Sequence, residues 1–142
     1  MSTEENKAFV RRVYDAINAK DPDALDELIA ADVSSNHRFP HGDGGLEGFK
    51  ESFSAALTSF PDYNITIDDQ IAEGDKVVTR YTARGTQEGD FMGVAPTGKA
   101  IELIGIDIDR IAGGKIVERW GNWNTIGMLQ QLGRLPPLDQ IG

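Results

Sequence analysis

The residues whose types and spacing invite chemistry gather in one stretch, Ile101 to Gly133, which reads IELIGIDIDRIAGGKIVERWGNWNTIGMLQQLG. Successive side chains of a strand point to opposite faces. Ile104, Ile106 and Ile108 therefore share one face, and Leu103, Gly105, Asp107 and Asp109 share the other. A carboxylate in the middle of an apolar strand is costly to desolvate unless donors satisfy it. Asp107 in that setting suits a general base that removes a proton next to a carbonyl. It equally suits an ion pair with Arg84, Arg110 or Arg119 on a neighbouring strand, and the residues alone leave both readings open. Asp109 lies two positions nearer the turn, where solvent is expected, as a solvated or arginine-paired carboxylate.

Three further groups belong with these. Tyr14 sits beside the apolar stripe of the first helix, and its hydroxyl could donate to a developing enolate oxygen or simply pack between helix and sheet. His37 and His41 share one loop, and His37 is the candidate proton shuttle; exposed loop histidines are the plainer reading. Two histidines without an assured third ligand make a poor metal site. Trp120 and Trp123 fall on opposite faces of one strand, and core packing is the commoner fate of such residues.

The elements that must position these side chains follow from periodicity. Residues 4 to 19 carry Phe9, Val13 and Ile17 at helical spacing, with Val10 and Tyr14 one step round, which predicts an amphipathic helix. Asp21 as N-cap and Pro22 at the first helical position open a second helix, with Ala24, Leu25, Leu28 and Ile29 as its buried side. Residues 32 to 45 lose the helical period and read as a strand plus surface loop, or as the lip of a pocket. Phe49, Phe53, Ala56, Leu57 and Phe60 restore it over residues 46 to 60, and Pro61 ends that helix. Strands are expected near 63 to 72, 75 to 87, 99 to 111 and 115 to 124, the last two joined by a tight Gly113-Gly114 turn. A short helix follows. Helices first and an antiparallel meander after them define an α+β domain, with helices on one face of a bent sheet.

Composition narrows the function. At 142 residues the chain is one domain, 1 to 142, with residues 134 to 142 a short tail. No cysteine is present, which removes disulfides, thiolate catalysis and zinc-thiolate sites. A net charge of −9 repels phosphate backbones, so nucleic acid is not an expected partner. No apolar run approaches the roughly 20 residues that span a bilayer, and the acidic, polar start predicts no secretory signal. The expected location is cytoplasmic, with no membrane partner.

The phrases VVTRYTARGTQEGDFMGVAPTGK (77 to 99), GIDIDRIAGGKIVERW (105 to 120) and GMLQQLG (127 to 133) resemble the SnoaL-like polyketide cyclases. These belong to the wider NTF2-like, or ketosteroid-isomerase-like, fold, and the resemblance runs over roughly residues 5 to 133. It implies three N-terminal helices packed on a curved, mostly antiparallel sheet, an apolar pocket inside the cone and a homo-oligomer, dimer or tetramer, built on the outer sheet face. It implies no cofactor and no metal. The chemistry it implies is a cofactor-independent intramolecular aldol cyclisation of a hydrophobic carbonyl-containing substrate. Where the cyclases carry their acid-base aspartate, one residue after the strand tryptophan, this chain has Gly121; where they carry a histidine it has Asp107, and a further aspartate of many relatives is Asn124.

The resemblance puts Gly121 on the pocket side, and parity with it turns Arg119 and Trp123 inward. Asp107, Tyr14 and His37 are thus the catalytic candidates, and Asp109, Arg119, Trp123, Gly121, Phe53 and Leu103 the candidates for substrate contact. Two alternatives accompany the cyclase reading. If both aspartates and an arginine meet in one cavity, the cluster resembles the water-activating site of limonene-type epoxide hydrolases, which share this fold. A glycine in place of the cyclase aspartate also fits a non-catalytic small-molecule binding protein.

Overall fold

The computed structural model describes residues 2 to 36 and 44 to 136. Helix α1, Thr3–Asn18, opens on a capping box in which Ser2 Oγ accepts from Glu5 N at 3.1 Å and Glu5 Oε1 accepts from Ser2 N at 3.3 Å. Its stripe of Val10, Val13, Tyr14 and Ile17 is buried. Asp21 caps the next turn, but that turn is a single 3-10 segment, Pro22–Glu27. Strand β1, Ile29–Ser35, begins immediately after it.

Ile29 therefore belongs to a strand, which corrects its expected place on a helix. The reason is visible in the burial pattern. Ile29 and Val33 are buried with Ala31 exposed between them, so the alternation expected of a strand is missing where the pairing of β1 with its neighbour shifts register between Ile29 and Ser34.

Helix α2, Gly45–Ser59, is followed by β2, Asn64–Glu73, β3, Lys76–Thr86, β4, Ala100–Ala112, β5, Lys115–Trp123, and α3, Thr125–Gln131. The four strands expected as a meander are present to within a residue or two, and they pair antiparallel. β1 adds a fifth, parallel to β5, so the spatial order is β1-β5-β4-β3-β2. Gly113 and Gly114 both adopt positive φ, 60° and 78°, the backbone a two-residue hairpin loop requires.

α1 packs on β2 and β3, α2 on β1 and α3 on β4. Between helices and sheet lies one apolar core, which includes Val10, Leu25, Ile29, Phe53, Leu103, Ile116 and Met128. The other sheet face is bare: Ile104 is 55% and Trp120 50% exposed, with Ile106 and Ile108 beside them. Among the described residues no helix is long and apolar enough to cross a membrane.

Candidate active site

The antiparallel register sets Asp107 opposite Gly121 and Asp109 opposite Arg119. All four share the helix-covered face, as the alternation along β4 and β5 requires. Arg119 joins the two carboxylates: Nε donates to Asp109 Oδ1 at 2.5 Å and Nη2 to Asp107 Oδ2 at 3.2 Å. Of the three arginines open to Asp107, Arg119 is the partner. Arg84 pairs with Glu102 and Arg110 with Glu118.

From α1, the Tyr14 hydroxyl donates to the same Asp107 Oδ2 at 2.7 Å. Both hydrogen bonds of Asp107 among the described residues thus fall on one oxygen, and Oδ1 carries neither. The Asp107 side chain keeps 14% of its surface exposed, whereas Asp109 keeps none. The expectation of solvent around Asp109 is corrected. Asn6 of α1 donates to the Gly74 carbonyl in the β2–β3 turn at 3.0 Å, so the start of the helix covers the end of the sheet on which Asp109 lies.

Burial dominates the electrostatics. It pushes Asp109 up to about 6 against the pull of Arg119, with Asp107 adding to the rise. For Arg119 burial works downward, but the charges of Asp109 and Asp107 outweigh it and the guanidinium is held more firmly protonated. Burial, followed by the Asp107 charge, raises Tyr14 and Tyr81 well above the usual phenol range and Tyr63 to about 12. All three tyrosines of the chain consequently stay neutral donors around one carboxylate.

Several members of this cluster went unread in the sequence. Tyr81 stacks at a tilt on Tyr14, ring centroids 6.1 Å apart, and pairs in register with Gly105. A Cβ on Gly105 would lie 2.3 Å from the Tyr81 hydroxyl oxygen. A glycine in mid-strand facing an aromatic residue is the signal that could have found the pair. Phe49 of α2 lies under the guanidinium, with Arg119 Cζ 5.1 Å from its ring centroid, a cation–π contact. Asn36 holds the Gly121 backbone from both sides, donating to its carbonyl at 3.1 Å and accepting from its N–H at 2.8 Å.

The remaining expected site residues divide by burial. Phe53 and Leu103 are built into the core, and Gly121 is buried. Trp123 is half-buried against that core, as are Phe49, Leu57, Tyr63 and Phe91. His37 and His41 lie outside the described residues. Among the described residues no group of three or more histidines, cysteines and carboxylates is placed to hold a metal ion. What the cluster can do is hold one ionisable carboxylate in an apolar setting, oriented by a phenol and a guanidinium, with an oxygen left to accept a proton.

A curved sheet with helices on one face and a polar cluster between them defines an NTF2-like α+β fold. Residues 7 to 132 match the SnoaL-like polyketide cyclase model, and the chain belongs to that family. Solved structures of similar shape include TsrD from Streptomyces laurentii, 27% identical with a TM-score of 0.87, over 95% of this chain and 99% of that one. AclR from Streptomyces galilaeus, provisionally described as a hydroxylase, is 28% identical with a TM-score of 0.85, over 99% and 92%. IdmH from Streptomyces antibioticus, provisionally described as a polyketide cyclase, is 34% identical with a TM-score of 0.80, over 90% and 98%. No curated protein matches the chain.

Proposed function

We propose that this chain is a cofactor-independent acid-base enzyme of the polyketide cyclase type, closing a ring by intramolecular aldol attack within a hydrophobic carbonyl-containing substrate. The observation that carries the reading is the asymmetry of Asp107. Tyr14 and Arg119 occupy Oδ2, so Oδ1, which has no hydrogen bond among the described residues, is the oxygen we assign to take a proton from the carbon next to a carbonyl. Gly121, where the cyclases carry their aspartate, lies directly across the ladder from Asp107. In this reading the base stands one strand over from the place it has in the cyclases.

Tyr14 then orients the base, because its hydroxyl is already given to Asp107. Tyr63, half-buried and neutral, is the phenol we assign to the developing enolate oxygen, and His37 retains the role of a second proton carrier. Phe49, Leu57, Phe91 and Trp123 offer apolar surface for the substrate. Holding two carbons of one molecule in contact supplies much of the rate, so one base and one donor suffice. The likeness to IdmH supports this reading. Its test is incubation with poly-β-ketone analogues, followed by chromatography. A cyclised product from the wild type, and about a hundredfold less from Asp107→Asn, is expected; equal product from both proteins rejects the assignment.

Epoxide opening is the second reading, favoured by the convergence of Asp107, Arg119 and Asp109. That reaction asks one carboxylate to activate water and another to protonate the epoxide oxygen. Asp109, fully buried, reaches neither. Diol formation from an epoxide panel in isotopically labelled water would reverse this preference. A purely binding role has no use for the Tyr14–Asp107 pair.

On the outer face we propose a second copy of the chain. Ile104, Ile106, Ile108 and Trp120 together form an exposed patch of the kind that marks interfaces. Light scattering at micromolar concentration should give a dimer or a tetramer, and a clean monomer rejects it.

A further inference from the structure

Asp109 is a buried carboxylate that the aldol reading leaves unused. Its Oδ1 accepts from Arg119 Nε, and its Oδ2 is buried with no hydrogen-bond partner among the described residues. Among the described residues the charged groups that act on it are Arg119 from β5 and Asp107 from its own strand, while Tyr14 of α1 feels its charge and Tyr63 and Tyr81 feel that of Asp107. One guanidinium thus serves two carboxylates, and it sits closer to the one that cannot reach a substrate.

A guanidinium that faced Asp107 alone would hold it ionised and make it a poor proton acceptor. We propose that Asp109 is a positioning residue acting through Arg119: it holds Nε and takes up part of the guanidinium charge, so that the base Asp107 does not face that charge alone. The inference rests on Asp107 being the base of the reading above. In a site of low dielectric the second carboxylate matters as charge, and not only as a hydrogen-bond acceptor. The orphaned Oδ2 agrees with this, since an acceptor selected for hydrogen bonding alone would not leave an oxygen unpaired.

Asp109→Asn separates charge from position, because the amide oxygen still accepts from Arg119 Nε while the negative charge is gone. The measurement is a pH titration of the aspartate Cγ resonances by carbon-13 NMR, with Asp107→Asn as the assignment control. The Asp107 midpoint should fall by about 1–3 pH units in Asp109→Asn. An unmoved or higher midpoint overturns the proposal. If the variant does not fold, the wild type decides: Asp107 must show a second inflection at the midpoint of Asp109, and a single independent curve overturns the coupling. Neither titration needs a substrate, so failure to find turnover would count against the cyclase reading and leave this result untouched.

Discussion

The middle of the β4–β5 hairpin carries charge inward and apolar side chains outward. Inward, where apolar side chains are the rule, it places Asp107, Asp109 and Arg119; outward, toward solvent, it places Ile104, Ile106, Ile108 and Trp120. Ionised side chains are almost never fully buried unless paired, and a buried ion pair is often no more stable than an apolar replacement of the same volume. The inner charges are therefore poor evidence of selection for stability, and the proposed chemistry is what would account for them. The outer isoleucines teach the converse. Ile104, Ile106 and Ile108 keep 55%, 47% and 37% of their surface exposed in one copy, and it is this surface that the proposed second copy would cover.

Substitutions that sharpen this contrast should have large effects inside and small ones outside. The largest is expected for Arg119→Met, which leaves two buried carboxylates uncompensated. It should cost about 3–5 kcal/mol of stability, read as a lowered denaturant midpoint; a loss below about 1 kcal/mol would mean that the cluster is hydrated and weakly coupled. Next comes the pH dependence of Asp109. Its carboxyl binds a proton more tightly when folded, about 6, than when unfolded, about 4. The associated stability is complete below about pH 4, declines as pH rises toward 6 and is flat above it. The difference between wild type and Asp109→Asn should show that slope, with an amplitude on the order of 2–3 kcal/mol.

Tyr14→Phe removes one donor from a charged acceptor that Arg119 still serves, and about 1–2 kcal/mol should be lost. Thermal or urea unfolding would register it, and an unchanged midpoint would place the hydroxyl outside the cluster. Smallest of all, Ile106→Lys on the outer face should alter the unfolding free energy of a single copy by no more than about 0.5 kcal/mol while abolishing association in light scattering. Intact oligomers after that change would move the interface elsewhere.

Much of this was legible in the sequence where alternation is the whole argument. That Asp107 and Asp109 share one face and the isoleucines the other follows from a period of two, and the family resemblance, which puts Gly121 on the pocket side, set Arg119, Gly121 and Trp123 inward. The helix α1 stripe was equally plain. What could not be read depends on contacts between distant residues. Tyr14 and Asp107 are 93 positions apart, so a local pattern can place each on the correct face without pairing them. The solvent expected at Asp109 was inferred from nearness to the turn along the strand, and it is α1, anchored by Asn6 at Gly74, that covers that end. The strand offered as one reading of residues 32 to 45 is the second half of β1, but its start at Ile29 was hidden, because alternation fails there and its ladder partner among the described residues, β5, comes late in the chain.

The most direct test of Asp107 as a carbon-acid base needs no knowledge of the natural substrate. A hydrophobic β-diketone is dissolved in deuterated water, and exchange of its α-protons is followed by proton NMR with wild-type protein, with Asp107→Asn and with neither. The wild type should accelerate exchange over the protein-free rate, and Asp107→Asn should be about a hundredfold slower than wild type. Exchange at the same rate with both proteins, or no faster than in buffer across a panel of such ketones, would contradict the assignment and leave the buried cluster as a structural ion pair.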